Sequence, residues 1–381
     1  MVQLLTLMAE AISVRSHQPF FVNLHTSNAF DSLSGSGTSV SRASLMGISM
    51  VQLNLDELYA LAYDALLRNG MSQANAAVVA RSVVAGERDE CRSHGMYRVL
   101  TCVNALKSEK VAGDVQPEVC DAAPGLVRVD ARSTFAQVAF EAAAPLLIGK
   151  ANESGIAALA INNCYHFSAL WHEVEHLAHH GLAAMAMTPA HPCVAPAGGT
   201  KPLLGNNPFA FAWPRPDGNP FVFDFATSVV ARGEIELARR EGKSLPDGWA
   251  LDRDGQPTND PEKALEGAML TFGSHKGSAL SAMIELLAGP LLSDSMSFES
   301  QQSYADAGVP LPRGELVLAF SLDRFALGAA RDNQERAEVL LNKIVDQGAR
   351  LPSQRRFEAR SRTIADGVLL DEALYEEIRA A

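Results

Sequence analysis

Ile156-Ala157-Ala158-Leu159-Ala160-Ile161, then residues 169–180, then Leu182-Ala183-Ala184-Met185-Ala186-Met187 decide the fold class. The first and last are apolar runs of strand length, and the segment between them reads as a helix, so the chain alternates strand, helix, strand. Such alternation predicts an α/β domain with part of its sheet covered by helices. Upstream, residues 126–129 read as a strand and residues 135–151 as a helix broken near Pro145. Downstream, apolar runs at 209–213 and 220–225 flank Pro214-Arg215-Pro216-Asp217-Gly218-Asn219. That spacing predicts a hairpin, so the sheet is expected to be mixed or antiparallel in this part. A helix over 227–241, a polar loop over 242–261, a helix after Gly273 and a mobile loop over 293–313 follow. A strand over 315–320, a helix over 332–347 and a closing helix from Asp371 complete the reading.

Order is expected from Asn54, which with Glu57 forms a capping box; a helix runs from there to Gly70 and a second from Ser72. Residues 1–50 read as a leader, with a Ser/Gly/Thr-rich linker composition over 31–44. Met46 and Met50 stand just before the first helix, which points to a start there. The apolar run at 1–12 carries Glu10 and no preceding positive residue, so it is not read as a signal peptide.

The chain has 381 residues, 47% of them hydrophobic, and a formal charge of -12. That charge argues against nucleic acid or an anionic membrane as partner and leaves a small molecule. No segment is apolar for long enough to span a bilayer. Five cysteines without a Cys-x-x-Cys pair suit a reducing, cytoplasmic setting.

Chemistry concentrates in Arg92-Ser93-His94-Gly95-Met96-Tyr97-Arg98. If the segment after Gly95 is helical, Arg98 lies on the His94 face. An imidazole that moves a proton would then stand beside a guanidinium that can clamp a carboxylate, or the turn is only a helix start capped by Ser93. His172-Glu173-Val174-Glu175-His176 matches the zincin pattern, but no third ligand follows at the required spacing and no metal is expected. Gly273-Ser274-His275-Lys276-Gly277-Ser278 is either a phosphate cradle at a helix start or a capping turn. The turn Arg350-Leu351-Pro352-Ser353-Gln354-Arg355-Arg356 gathers three guanidiniums, for a phosphate or for acidic neighbours. No Gly-x-Gly-x-x-Gly follows any strand, so a Rossmann dinucleotide turn is missing.

Taken together, Ser93 to Arg98, His166-Phe167-Ser168-Ala169-Leu170-Trp171, Asn207-Pro208, Asp224-Phe225-Ala226-Thr227-Ser228, Gly273 to Ser278 and Arg350 to Pro352 resemble the malate/L-lactate dehydrogenase-like oxidoreductases. The resemblance is nearest to the branch that reduces 1-piperideine-2-carboxylate and 1-pyrroline-2-carboxylate, giving L-pipecolate and L-proline. It implies an α/β, non-Rossmann nicotinamide fold with a large mixed, mostly antiparallel sheet, NADPH as cofactor and a homodimer. By that resemblance Ser93, His94 and Glu234 serve catalysis, while Arg98, Asn206, Arg232 and Gly233 meet the substrate. The NADPH contacts fall on His166, Phe167, Ser168, Ala169, Leu170, Asp224, Phe225, Ala226, His275, Lys276, Arg350, Leu351, Pro352, Ser353, Gln354, Arg355 and Arg356. Residues 126–314 would form the NADPH domain, and residues 51–125 with 315–381 the substrate and dimer domain. Asn206 replaces a threonine of the family pattern, and Glu234 an aspartate. A 2-hydroxy acid dehydrogenase and a zinc hydrolase on His172, Glu173 and His176 are the alternative readings.

Overall fold

The computed structural model describes residues 41–45, 48–216, 218–240, 242–300, 312–328 and 332–381. Most of the expected leader, Asp217 of the hairpin turn and residues 301–311 of the expected mobile loop lie outside them. The chain divides into Met1–Ser39 and Val40–Ala381, and the second unit is the one described.

Its strands are β1 (Ser41–Leu45), β2 (Ile48–Leu53), β3 (Glu118–Ala123), β4 (Leu126–Asp130), β5 (Ile156–Cys164), β6 (Leu182–Met187), β7 (Pro192–Val194), β8 (Leu204–Gly205), β9 (Pro208–Trp213) and β10 (Phe221–Ala226). They continue as β11 (Ala250–Leu251), β12 (Pro257–Thr258), β13 (Ala268–Met269), β14 (Arg313–Ser321) and β15 (Val368–Asp371). A seven-stranded sheet in the order β10-β9-β6-β14-β5-β4-β3 organises the unit. Only β4 and β5 pair parallel within it; every other neighbouring pair is antiparallel, including β9 and β10, the hairpin expected around Pro214.

Alternate residues fill one face: Leu159 and Ile161, Ala184 and Ala186, Ala210 and Ala212, Val317 and Ala319 are all buried. This period of two follows from the pleat. The many alanines let the helices Ala136–Ser154 and Trp171–His179 lie close, packing Leu147, Leu170, Val174 and Leu177 onto the sheet. The opposite face receives Ile284 and Ala288 of the helix His275–Ala288 over Ala160, Met187 and Leu316.

Several expectations change. The helix Ala136–Ser154 runs through Pro145 without a break. Pro145 is on the exposed side, where the carbonyl it leaves unpaired can face water, and buried Ala143, Ala144 and Leu147 hold the turns together. Order begins before Asn54, because β2 pairs with β15 at the far end of the chain and buries Val51 and Leu53. The expected helix over 227–241 starts only at Arg232, since Thr227 and Val229 give their N–H groups to Asn207 and Leu270 instead. The short strands of the five-stranded sheet, β12-β11-β13-β7-β8, were not legible. The Asn54–Glu57 capping box is present.

Candidate active site

The helix Gln73–Arg88 delivers the chain to a single 3-10 turn, Arg92–His94, which lies directly on that helix. A methyl group on Gly86 would strike the His94 carbonyl, and one on Gly95 would strike the Glu87 carboxylate. Glu87 is buried there and accepts the Met96 N–H at 2.9 Å. Burial pushes its carboxyl up, against the pull of that N–H. On this base Ser93 Oγ sits 3.0 Å from His94 Nδ1, which leaves Nε2 as the working nitrogen. Arg98, at the start of the helix Tyr97–Lys107, turns back and donates from Nε to the Ser93 carbonyl at 2.7 Å. One edge of the guanidinium thus steadies the turn. Burial first, and Arg98 second, depress the His94 imidazole to about 4, so it is neutral at neutral pH.

His166 follows β5 and adjoins this turn. Burial, then Arg313 and His94, push its imidazole down to about 3. Ser168 accepts Gln137 Nε2 at 2.6 Å. Asp224, near the end of β10, accepts the Trp171 N–H at 3.0 Å, which ties that strand to the helix start after residues 166–170. Burial raises Asp224 to about 6 against the Trp171 and Leu170 N–H groups. The helix His275–Ala288 begins against the same segment: a methyl on Gly277 would meet the Thr227 carbonyl at 2.9 Å, and Phe272 packs edge-on to Phe225. Its first turn has no side-chain cap, Gly273 and Ser274 both carry φ of 54°, and His275 and Lys276 are exposed. The Lys276 and Gly277 N–H groups are spent on the Gly273 and Phe272 carbonyls, so the exposed Lys276 ammonium is the group here that fits a phosphate-bearing cofactor.

Asn207 is buried, donating to Glu285 Oε1 at 2.7 Å and Ser281 Oγ at 3.0 Å and accepting the Ala190 N–H at 2.7 Å. This fixes the loop that carries Asn206, whose Oδ1 accepts from Ser228 Oγ. Arg232 is exposed and donates to the Leu265 carbonyl at 3.3 Å. Its charge, with that of Arg313, reaches His191, whose imidazole burial has already pushed down. Gly233 has open space around it, and Glu234 is exposed in the first helical turn. In this arrangement it is Ser93 that meets His94 Nδ1.

The basic turn at 350–356 separates into two roles. Ser353 takes a left-handed φ of 62° and starts the helix Gln354–Asp366. Arg356 is buried, donating to Asp89 at 2.8 Å and to Glu175, with its guanidinium 3.9 Å above the Trp171 ring. Arg360 joins both carboxylates. Arg350 and Arg355 are exposed. The guanidiniums free for a phosphate are therefore these two, with Arg356 holding the turn onto the helix Trp171–His179.

The zincin reading fails on geometry. His172 stacks on Trp171 at 3.8 Å and His176 packs edge-on to Phe140. Among the described residues the groups placed to share an ion are His166, Glu173 and Glu315 instead. Sequence reasoning missed Glu315 and Arg313, although a carboxylate inside the apolar run of β14 was a visible signal. It also missed Asp89 and Glu175, whose partners are distant in sequence.

Residues 53–379 match the family described as malate/L-lactate dehydrogenase. A Delta(1)-pyrroline-2-carboxylate/Delta(1)-piperideine-2-carboxylate reductase of Pseudomonas aeruginosa is 56% identical over 332 residues, covering 87% of this chain and 99% of that protein. A Delta(1)-pyrroline-2-carboxylate reductase of Burkholderia ambifaria is 53% identical, covering 87% and 97%. The crystal structure of delta1-piperideine-2-carboxylate reductase from Pseudomonas syringae pvar. tomato superposes with a TM-score of 0.83 at 40% identity, covering 86% and 99%.

Proposed function

The chain belongs to the malate/L-lactate dehydrogenase family, and from that premise we propose that it reduces cyclic ketimine carboxylates with NADPH. The substrates are 1-pyrroline-2-carboxylate and 1-piperideine-2-carboxylate, and the products L-proline and L-pipecolate. The carrying observation is the turn itself: a neutral imidazole with Nδ1 engaged by Ser93, beside a guanidinium with one edge fixed by the Ser93 carbonyl. The choice of C=N over C=O follows the relatives at 53–56% identity, whose names are those of imine reductases.

A bound nicotinamide supplies hydride to the imine carbon. Arg98 grips the substrate carboxylate through its remaining N–H groups, which turns the ring so that its nitrogen faces His94 Nε2. The neutral imidazole meets that nitrogen as a hydrogen-bond acceptor for an iminium N–H. Once the carboxylate neutralises Arg98, the second cause of the low His94 pKa is removed and the imidazole's proton affinity rises. Ser93 holds the ring plane. Glu234 is assigned to steady the relay from the solvent side, and Asn206, Arg232 and Gly233 to the far side of the substrate. Exposed His275 and Lys276 would hold the pyrophosphate, residues 166–170 and 224–226 would line the nicotinamide side, and exposed Arg350 and Arg355 would select the extra phosphate of NADPH. A homodimer belongs to the same proposal. Phe209, Phe211, Phe221, Phe223 and Phe225 stand ring to ring on β9 and β10, offering apolar area for a partner copy.

The test is NADPH consumption with the two imines, pyruvate and oxaloacetate in parallel. The proposal expects the imines to be preferred and the amine product to have the L configuration. Faster turnover of a 2-oxo acid would move the assignment to a 2-hydroxy acid dehydrogenase.

A further inference from the structure

Two glutamates and one histidine meet beneath the catalytic turn. Glu173 comes from the helix Trp171–His179, Glu315 from the middle of the sheet on β14, and His166 from the loop after β5. One donor atom from each lies within 4.8 Å of the other two. Glu173 and Glu315 are 1% and 0% exposed, and the His166 side chain is 7% exposed. Glu173 Oε2, both Glu315 oxygens and His166 Nε2 have no hydrogen-bond partner among the described residues. A buried carboxylate oxygen without a partner is costly, and three of them side by side cost more, so some positive species, a metal ion or protons, must be shared between them.

We propose that His166, Glu173 and Glu315 bind one divalent transition-metal ion, with zinc as the ion their donor set fits first. The spacing carries the argument. His166 Nε2 stands 3.6 Å from Glu315 Oε2, too far for a hydrogen bond. Two ligands on a zinc tetrahedron with bonds of about 2.1 Å are roughly 3.4 Å apart, so the observed gap is that of neighbouring ligands. An imidazole and two carboxylates form a nitrogen and oxygen set that suits zinc, and their two negative charges balance a dication. Among the described residues no lysine or arginine pairs with Glu173 or Glu315: Arg313, whose charge reaches His166, donates to the Pro189 carbonyl, and Arg356 to Asp89 and Glu175. Each ligand belongs to a different element, so an ion here would pin the covering helix, the central strand and the loop after β5 together below the catalytic turn. The ion would serve the fold, and the reductase reading does not depend on it.

Full-length protein purified without a metal-affinity step or chelator is analysed for transition metals by inductively coupled plasma mass spectrometry. The expected content is about one ion per chain, falling below about 0.1 in Glu315→Gln and His166→Asn. Stripping with dipicolinate should lower the wild-type melting temperature, and zinc should restore it by several degrees, by mass action on the folded state. His179→Asn/His180→Asn, which removes the exposed imidazoles at the end of the same helix, should keep the metal. If the single-site variants fail to fold, the wild-type content and the stripped-protein melt still decide. Wild-type protein with less than about 0.1 ion per chain and a melting temperature unmoved by zinc overturns the proposal, leaving protons as the shared charge. Metal that disappears with His179 and His180 overturns it equally.

Discussion

Replacing Arg98 by Met removes the group to which the proposed function assigns the substrate's orientation. The guanidinium spends Nε on the Ser93 carbonyl at 2.7 Å, so its terminal N–H groups are what remain for a carboxylate. Two charge-assisted hydrogen bonds at about 1.5–3 kcal/mol each imply a loss of about 3–6 kcal/mol in transition-state binding, or roughly 10²- to 10⁴-fold in kcat/KM. The substitution also removes the second cause of the low His94 pKa, so the acid limb of the kcat/KM profile should move to higher pH. It stays below an ordinary histidine's value because burial, the first cause, is untouched. Arg98→Lys should recover part of the binding, since an ammonium cannot both hold the Ser93 carbonyl and fork onto a carboxylate. The assay is NADPH absorbance with 1-pyrroline-2-carboxylate over a pH series, with circular dichroism as a folding control. An Arg98→Met enzyme within about threefold of wild type, with its acid limb unmoved, would refute the reasoning.

Ser93→Ala takes away the contact to His94 Nδ1 and should lower kcat about tenfold with little change in KM, read from initial rates. Asn207→Ala strips partners from Glu285, Ser281 and the Ala190 N–H; urea unfolding should show a loss of about 3 kcal/mol. Arg356→Ala leaves Asp89 and Glu175 short of a buried cation and should cost about 3–5 kcal/mol by the same measurement, despite lying on a turn expected to serve the cofactor. Arg350→Ser/Arg355→Ser should raise KM for NADPH and leave that for NADH unchanged in steady-state assays.

The sheet and its covering helices were legible because each element announces its own period. β6 is as expected, β5 and β14 each run three residues longer than expected, and β9 one residue longer. What was not legible depends on partners remote in the chain. β2 becomes a strand because β15 pairs with it, and strands of two or three residues such as β8 and β13 are too short to carry a pattern. The turn from Ser93 to Arg98 was visible as a cluster of residue types, yet its use of the Ser93 carbonyl to fix Arg98 was not, since backbone acceptors have no letter in the sequence. Arg355 and Arg356 look equivalent in sequence. One turn of helix places Arg355 in water and Arg356 between two carboxylates and an indole. The His172-Glu173-Val174-Glu175-His176 match misled in the opposite way. Its two imidazoles are held by aromatic neighbours, while Glu173 faces a histidine six positions outside the spacing that a zincin needs.

The most direct measurement is a crystal structure of the protein with NADP and pyrrole-2-carboxylate, a planar ring acid that cannot accept hydride. The account predicts the carboxylate on the Arg98 guanidinium, the ring nitrogen within hydrogen-bond reach of His94 Nε2, and carbon 2 against the nicotinamide. A ring acid bound away from Arg98, or a nicotinamide on a different face of the protein from His94, would contradict it.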